Sequence, residues 1–90
     1  MRSPRFQREV HVSLHARRRM AQRGIDDLEL VELLESGETR YKDDKRLWIA
    51  MNFPSRRDNL VCAAVVLERQ LVVKTVMHHF EWGGSDADNV

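Results

Sequence analysis

The sequence is poor in the residues that build disulfide scaffolds and membrane spans. Of its 90 residues only Cys62 is a cysteine, so an internal disulfide is excluded and a cysteine-based zinc site is not expected. The longest apolar run, Leu60 to Leu67, is far shorter than the roughly 20 residues that cross a membrane. With 42% hydrophobic residues and two prolines, the chain is too apolar for a disordered protein. We therefore expect one small folded domain in a reducing, cytoplasmic setting, without a membrane segment.

Net charge is also nearly absent, because 15 basic and 14 acidic residues give +1. Taken alone, this balance argues against a nucleic-acid-binding protein, since such proteins are usually strongly basic. The charges are unevenly distributed, however. Residues 1–24 contain seven arginines and one glutamate, and residues 25–38 contain six acids and no base. The near-neutral total therefore conceals a block of charge +6 followed by a block of charge −6.

Capping residues mark two helices in the first half of the chain. Ser13 is a favoured N-cap residue, and the apolar residues after it predict a helix over about residues 14–23. Asp26, with Glu29 three positions later, forms a capping-box pattern that is followed by leucines at helical spacing. This pattern predicts a second helix over about residues 27–36, and the short connection between the two predicts a helical hairpin.

From residue 38 onward the apolar residues recur with a period of two, which is typical of strands. We predict four strands, at residues 38–42, 47–53, 60–67 and 71–77. The expected fold class is therefore α+β, with a two-helix hairpin packed on a four-stranded antiparallel β-meander. The domain is expected over residues 10–82, between a flexible basic arm at residues 1–9 and a disordered tail at residues 83–90.

Three residues of the first predicted helix, His15, Arg19 and Arg23, are spaced at i, i+4 and i+8 and so lie in one line. A titratable imidazole beside two permanent cations suits a phosphodiester ligand. The alternative is a structural role, in which the arginines pair with acids of the second helix and lock the hairpin. The acids available for such pairs are Glu29, Glu32 and Glu35.

Two histidines, His78 and His79, follow the last predicted strand. By alternation His79 shares a face with Thr75, and a histidine at a strand end can meet a helix that lies across the sheet. Metal-free RNA cleavage needs a group that takes the 2′-hydroxyl proton, a group that protonates the leaving 5′-oxygen, and cations beside the phosphorane. We predict that His15 and either His79 or His78 supply the first two. The alternative is that both histidines at the strand end are half-buried residues of the fold.

Further arginines are candidates for contacts with nucleic acid. Arg17 and Arg18 lie on the first helix, and Arg56 and Arg57 lie in a polar loop between two strands. The alternative interpretation of such residues is a charged surface that keeps the protein in solution.

The first strand turn raises the same two possibilities. The basic residues here either contact phosphate or belong to the charged surface; they are Arg40, Lys42, Lys45 and Arg46. Tyr41 and Trp48 either stack on bases or pack against neighbouring strands.

We expect neither a metal centre nor a cofactor. His11 and His15 have the spacing of a ligand pair, but Ser13 is expected to cap the helix between them, so they are not one helical turn apart. The sequence also has no glycine-rich phosphate loop and no nucleophile elbow.

Three segments together resemble a known family. They are His15-Ala16-x-x-Arg19-Met20-x-x-Arg23-Gly24-Ile25, the acidic segment ending Glu35-Ser36-Gly37-Glu38, and Val73-Lys74-Thr75-Val76. Over about residues 13–78 the chain resembles the small bacterial family called domain of unknown function 4258. That family is similar to the RelE/ParE-type toxins, whose fold places a helical hairpin against a four-stranded antiparallel sheet.

The resemblance implies a set of site residues and an activity. It implies that His15, Arg19 and Arg23 are signature positions, with Thr75 the one on the last strand. The implied activity is metal-independent mRNA cleavage, often on the ribosome and restrained by an antitoxin. We thus expect a RelE-like toxin-type ribonuclease or RNA-binding protein, with RNA, the ribosome, an antitoxin-like protein or a second copy as partners. The alternative is a non-catalytic protein-interaction module.

Overall fold

In a computed structural model, residues 1–53 and 60–78 are described, Leu60 and His78 by their backbone alone. Two helices and six strands lie within these residues. In chain order they are β1 (Arg2–Ser3), β2 (Arg8–Val12), α1 (Leu14–Arg23), α2 (Asp27–Ser36), β3 (Glu38–Tyr41), β4 (Arg46–Asn52), β5 (Leu60–Leu67) and β6 (Leu71–His78). The predicted α+β class and the two predicted helices are confirmed.

The helices begin where the capping residues predict. The Ser13 hydroxyl accepts a hydrogen bond from the backbone N–H of Ala16 at 3.0 Å, which satisfies a donor that the first turn of α1 leaves free. At the start of α2, the Asp26 carboxylate accepts from the Glu29 N–H at 2.8 Å, and the Glu29 carboxylate accepts from the Asp26 N–H at 3.1 Å. This reciprocal pair is a complete capping box. Gly24 ends α1 in the left-handed conformation, at φ 65°.

The sheet differs from the predicted four-stranded antiparallel meander, which is wrong in strand number and in direction. Its six strands have the order β1-β2-β6-β5-β4-β3, and β2 runs parallel to β6, with Val10 opposite Leu71 and Val12 opposite Val73. The last four strands do follow one another as antiparallel neighbours. No strand was predicted at β2, because two alternating valines are too short a pattern to show a pairing made about 60 residues later.

Residues 1–9, predicted as a flexible arm, are paired in the structure. β1 runs antiparallel to β2, with Arg2 opposite Glu9, and Ser3 is buried. The Arg5 guanidinium donates to the carbonyl oxygens of Leu34 and Gly37 at 3.0 and 2.8 Å. This segment therefore lies against the C-terminal end of α2. The predicted tail at residues 83–90 and the predicted domain end at residue 82 lie outside the described residues.

Both helices pack on one face of the sheet. α1 lies on β6, and α2 lies on β4 and β5. The strands turn alternate residues toward the helices, and these close the core with the buried helix residues Ala16, Met20, Leu30, Leu33 and Leu34. Within the described chain no helix covers the opposite face, which we call the helix-free face. The molecule thus offers two surfaces to a ligand, the outside of α1 and the helix-free face.

Candidate nucleic-acid interface

The line of His15, Arg19 and Arg23 runs along α1 beside its buried side. Ala16 and Met20 are buried in the core, and each follows one residue after a member of the line. His15 is exposed, whereas Arg19 and Arg23 are half-buried. The line therefore borders the sheet at its arginine end and is open to solvent at its histidine end.

Several acidic residues at α2 have partners other than Arg19. Asp26 and Glu29 form the capping box, and Glu35 accepts hydrogen bonds from the Ser3 hydroxyl and the Arg5 N–H. The structural alternative required Arg19 and Arg23 to pair with acids of α2. In the described part of the chain, Arg19 forms no hydrogen bond or ion pair.

The other arginines of α1 divide into two kinds. Arg17 pairs with Asp27 across the helical hairpin, whereas Arg18 is exposed and forms no ion pair with any residue that the structure describes. Arg23 has an interaction partner, and its Nε atom is shielded from solvent. Arg18 and Arg19, with His15, are therefore the groups of α1 left for an external anion.

The start of α1 is fixed to the last strand. The Ser13 N–H donates to the Val73 carbonyl and the Ser13 hydroxyl donates to the Lys74 carbonyl, both at 3.1 Å. These bonds hold the histidine end of the line over β6. Thr75, the next strand residue, is opposite Ala64 on β5 and alternates with the buried Val76, so its side chain is on the helix-free face.

The structure therefore brings His15, Arg19 and Arg23 together but places Thr75 on the other side of the sheet. The remaining predicted site residues, His79, Arg56 and Arg57, lie outside the described residues, and so does the side chain of His78.

The helix-free face has a groove that the sequence did not reveal as a unit. In register across three strands, Trp48 is opposite Ala64 and Ala64 is opposite Thr75. The small Ala64 side chain leaves a depression beside the half-buried Trp48, with a volume of about 250 Å³. Its polar and outward-facing wall residues are Lys42, Arg46, Trp48, Ala64, Val66 and Lys74. The sequence did contain a signal for this groove. Trp48 stands between the buried residues Leu47 and Ile49 on a strand, so its side chain points to the opposite face of the sheet.

The turn between β3 and β4 fixes one wall of this groove. The Asp43 carboxylate accepts hydrogen bonds from the Arg46 side chain at 2.8 Å and from the backbone N–H groups of Lys45 and Arg46. The Arg46 side chain, followed by these N–H groups, lowers the pKa of Asp43 from 3.8 to about 2. Arg46 is thereby neutralised locally. Lys42 and Lys74 form no ion pair with a described residue and leave the groove positive.

Among the described residues, no group of three or more histidine, cysteine, aspartate or glutamate side chains is arranged to hold a metal ion. His11 lies on β2 and His15 on α1, with the Ser13 cap between them. In the same part of the chain, neither helix has the length and apolarity to cross a membrane.

Comparison with known proteins identifies a family. The sequence profile of a family described as domain of unknown function (DUF4258) matches residues 12–78, a span that includes the line on α1 and Thr75. No curated protein and no solved structure matches the chain. The family description names no activity, so the relation to RelE-type toxins stays a prediction.

Proposed function

The chain belongs to the family described as domain of unknown function (DUF4258), and we propose that it is a small RNA-binding protein whose ligand lies along α1. In this proposal Arg18 and Arg19 bind phosphate groups, and His15 transfers a proton in metal-independent RNA cleavage. The fold supports a RelE-like relation to the extent that a helical hairpin lies on antiparallel strands. The ribosome and an antitoxin-like protein are the partners that this relation would add.

The observation that carries the proposal is that Arg19, a half-buried cation of the basic block, forms no ion pair with a described acid. Asp26 and Glu29 are engaged in the cap of α2, Glu35 with the N-terminal segment and Asp27 with Arg17, and none of these acids pairs with Arg19. A half-buried guanidinium is already partly desolvated, so its attraction to a phosphate is screened less than that of a fully exposed one. Its planar group can donate two parallel hydrogen bonds to phosphate oxygens.

The chemistry of cleavage follows from the spacing along α1. His15 and Arg19 are one helical turn apart, so an imidazole and a guanidinium can reach neighbouring atoms of one phosphodiester. The imidazole takes the 2′-hydroxyl proton, the 2′-oxygen attacks phosphorus, and the cation stabilises the charge on the phosphorane. The leaving 5′-oxygen needs a second proton donor, which we assign to His79 or His78.

The test is a binding titration with a fluorescein-labelled single-stranded RNA in low salt and in EDTA. We expect Arg19→Ala to weaken binding by about tenfold, in line with the loss of one charge-assisted contact. Arg69→Ala is the matched control, because Arg69 is an exposed arginine in the turn between β5 and β6 and should leave binding unchanged. Binding should also fall steeply as salt is raised. Equal affinities of the two variants, or no binding by the wild type, would contradict the proposal.

Cleavage is tested separately from binding. We expect His15→Ala to abolish RNA cleavage in EDTA while it keeps most of the affinity, because the arginines hold the phosphate and the histidine moves the proton. Cleavage that needs a divalent metal, or cleavage by His15→Ala at the wild-type rate, would overturn the catalytic part and leave RNA binding in place.

A further inference from the structure

The groove on the helix-free face combines a flat aromatic wall with a small floor. Trp48 and Thr75 flank Ala64 in one cross-strand row, and the alanine leaves room that a larger residue would fill. Trp48 is half-buried, so part of its indole is open to a ligand that enters the groove. Such a wall favours a planar ring, because aromatic stacking adds to the burial of apolar surface.

Lys74 reaches this groove because of an irregularity in the pairing of β5 and β6. Val65 is opposite Val73 and Ala64 is opposite Thr75, so Lys74 is an extra residue with no partner. The inward-facing residues on either side of the bulge are Val73 and Val76, three positions apart instead of two. A bulge of this kind redirects a side chain, and Lys74 lines the groove.

The charge around the groove favours an anion. Lys74 stands on one side and Lys42 on the other, and neither forms an ion pair with a described residue. The β3–β4 turn carries two acids, Asp43 and Asp44, and Asp43 is held by Arg46. Two lysines therefore remain for a phosphate group.

We propose that the groove binds a mononucleotide, with its base against Trp48 and its phosphate between Lys42 and Lys74. The volume of about 250 Å³ is below the roughly 300–1,000 Å³ of pockets that enclose drug-sized ligands, and it suits one nucleotide that leaves part of itself in solvent. This site lies on the opposite face of the sheet from the line on α1 and does not depend on the RNA-binding proposal.

Fluorescence of Trp48 provides the test. The chain has two tryptophans, so Trp82→Phe leaves Trp48 as the only one. In this background we expect adenosine 5′-monophosphate to quench the emission saturably, adenosine to bind at least about tenfold more weakly, and inorganic phosphate to cause no quenching. Quenching that does not saturate, or equal affinity for adenosine and its monophosphate, would overturn the proposal.

Two further variants separate the groove from the rest of the molecule. Ala64→Leu fills the floor and should abolish quenching, provided that circular dichroism shows the native fold. Lys74→Ala removes one cation without touching the core, and should weaken nucleotide binding by about tenfold. Arg19→Ala, which tests the RNA-binding proposal, should leave nucleotide binding unchanged. The proposal would be contradicted if Lys74→Ala bound the nucleotide with wild-type affinity. It would also be contradicted if a single-stranded decanucleotide bound far more tightly than the mononucleotide.

Discussion

The hydroxyl of Ser3 donates a hydrogen bond to the carboxylate of Glu35, although the two residues are 32 positions apart. Glu35 lies in the last turn of α2, where the helix dipole disfavours a negative charge. Its carboxylate also accepts from the Arg5 N–H at 2.9 Å, and the Arg5 guanidinium donates to two carbonyls at the same helix end. The first residues of the chain thus supply hydrogen-bond donors to carbonyl groups at the C-terminal end of α2. The last turn of this helix has no basic residue that could do so.

Removal of the Ser3 hydroxyl should destabilise the domain. Ser3 is 1% exposed, so Ser3→Ala leaves a partly enclosed carboxylate with one donor fewer, and we expect a loss of about 1–3 kcal/mol in the free energy of unfolding. Chemical denaturation measures this loss. Ser36→Ala, an exposed serine one residue after Glu35, is the control and should change stability little. Equal effects of the two substitutions would show that the N-terminal segment does not support α2.

Substitution of Gly37 should destabilise the protein more than substitution of Gly24, because there is no room for a side chain at Gly37. Gly37 has an ordinary φ of −72°, but an added Cβ would lie 2.5 Å from the Leu33 carbonyl oxygen and 2.7 Å from Cγ2 of Ile49. Gly24 has open space around it and a φ of 65°, which costs a residue with a side chain about 1–2 kcal/mol. We expect Gly37→Ala to lower the melting temperature more than Gly24→Ala, because backbone atoms of α2 and β4 must move. The reverse order would contradict the close packing of α2 on β4.

The helices could be predicted because their signals are local. Ser13, Asp26 and Glu29 make their capping bonds within three residues, and that distance is visible in the sequence. The parallel pairing of β2 with β6 depends instead on two segments separated by both helices and three strands. No local sequence pattern encodes this pairing. Gly37 ends α2, but the lack of space for a side chain there depends on Ile49 of β4, which only the fold brings close.

The candidate sites also differ in whether local sequence signals could predict them. The line of His15, Arg19 and Arg23 follows from helical spacing alone, whereas the lack of an ion pair between Arg19 and a described acid is visible only in the structure. The groove needs the register of three strands and the bulge at Lys74. A one-residue change in register would turn Trp48 to the other face.

Cys62 should be unreactive in the folded protein. Its side chain is fully buried, and this burial raises the pKa of the thiol from 9.0 to about 12. At pH 8 only about 1 in 10,000 molecules would then carry the reactive thiolate. We expect iodoacetamide to label the native protein far more slowly than the urea-unfolded protein, as measured by mass spectrometry. Comparable labelling rates would mean that the strand β5 opens readily.

The Asp43 carboxylate should stabilise the β3–β4 turn down to strongly acidic pH. The Arg46 side chain and two backbone N–H groups hold the charged form, and they lower the pKa of Asp43 from 3.8 to about 2. A lowered pKa in the folded state means that the unfolded chain binds the proton first, so the stabilisation is complete above pH 3.8 and disappears as the pH falls through about 2. Asp43→Asn should therefore lower the melting temperature at neutral pH by a small amount, because the carboxylate is in solvent.

The sign of this effect is checked by thermal unfolding of the wild type and Asp43→Asn at several values of pH. Their difference should be constant from neutral pH to about pH 5 and should shrink between about pH 4 and pH 2, where the wild type loses the charge. Asp44→Asn, an exposed neighbour in the same turn, provides the control for a general change in net charge. A difference that persists at pH 2 would show that Asp43 acts through its shape.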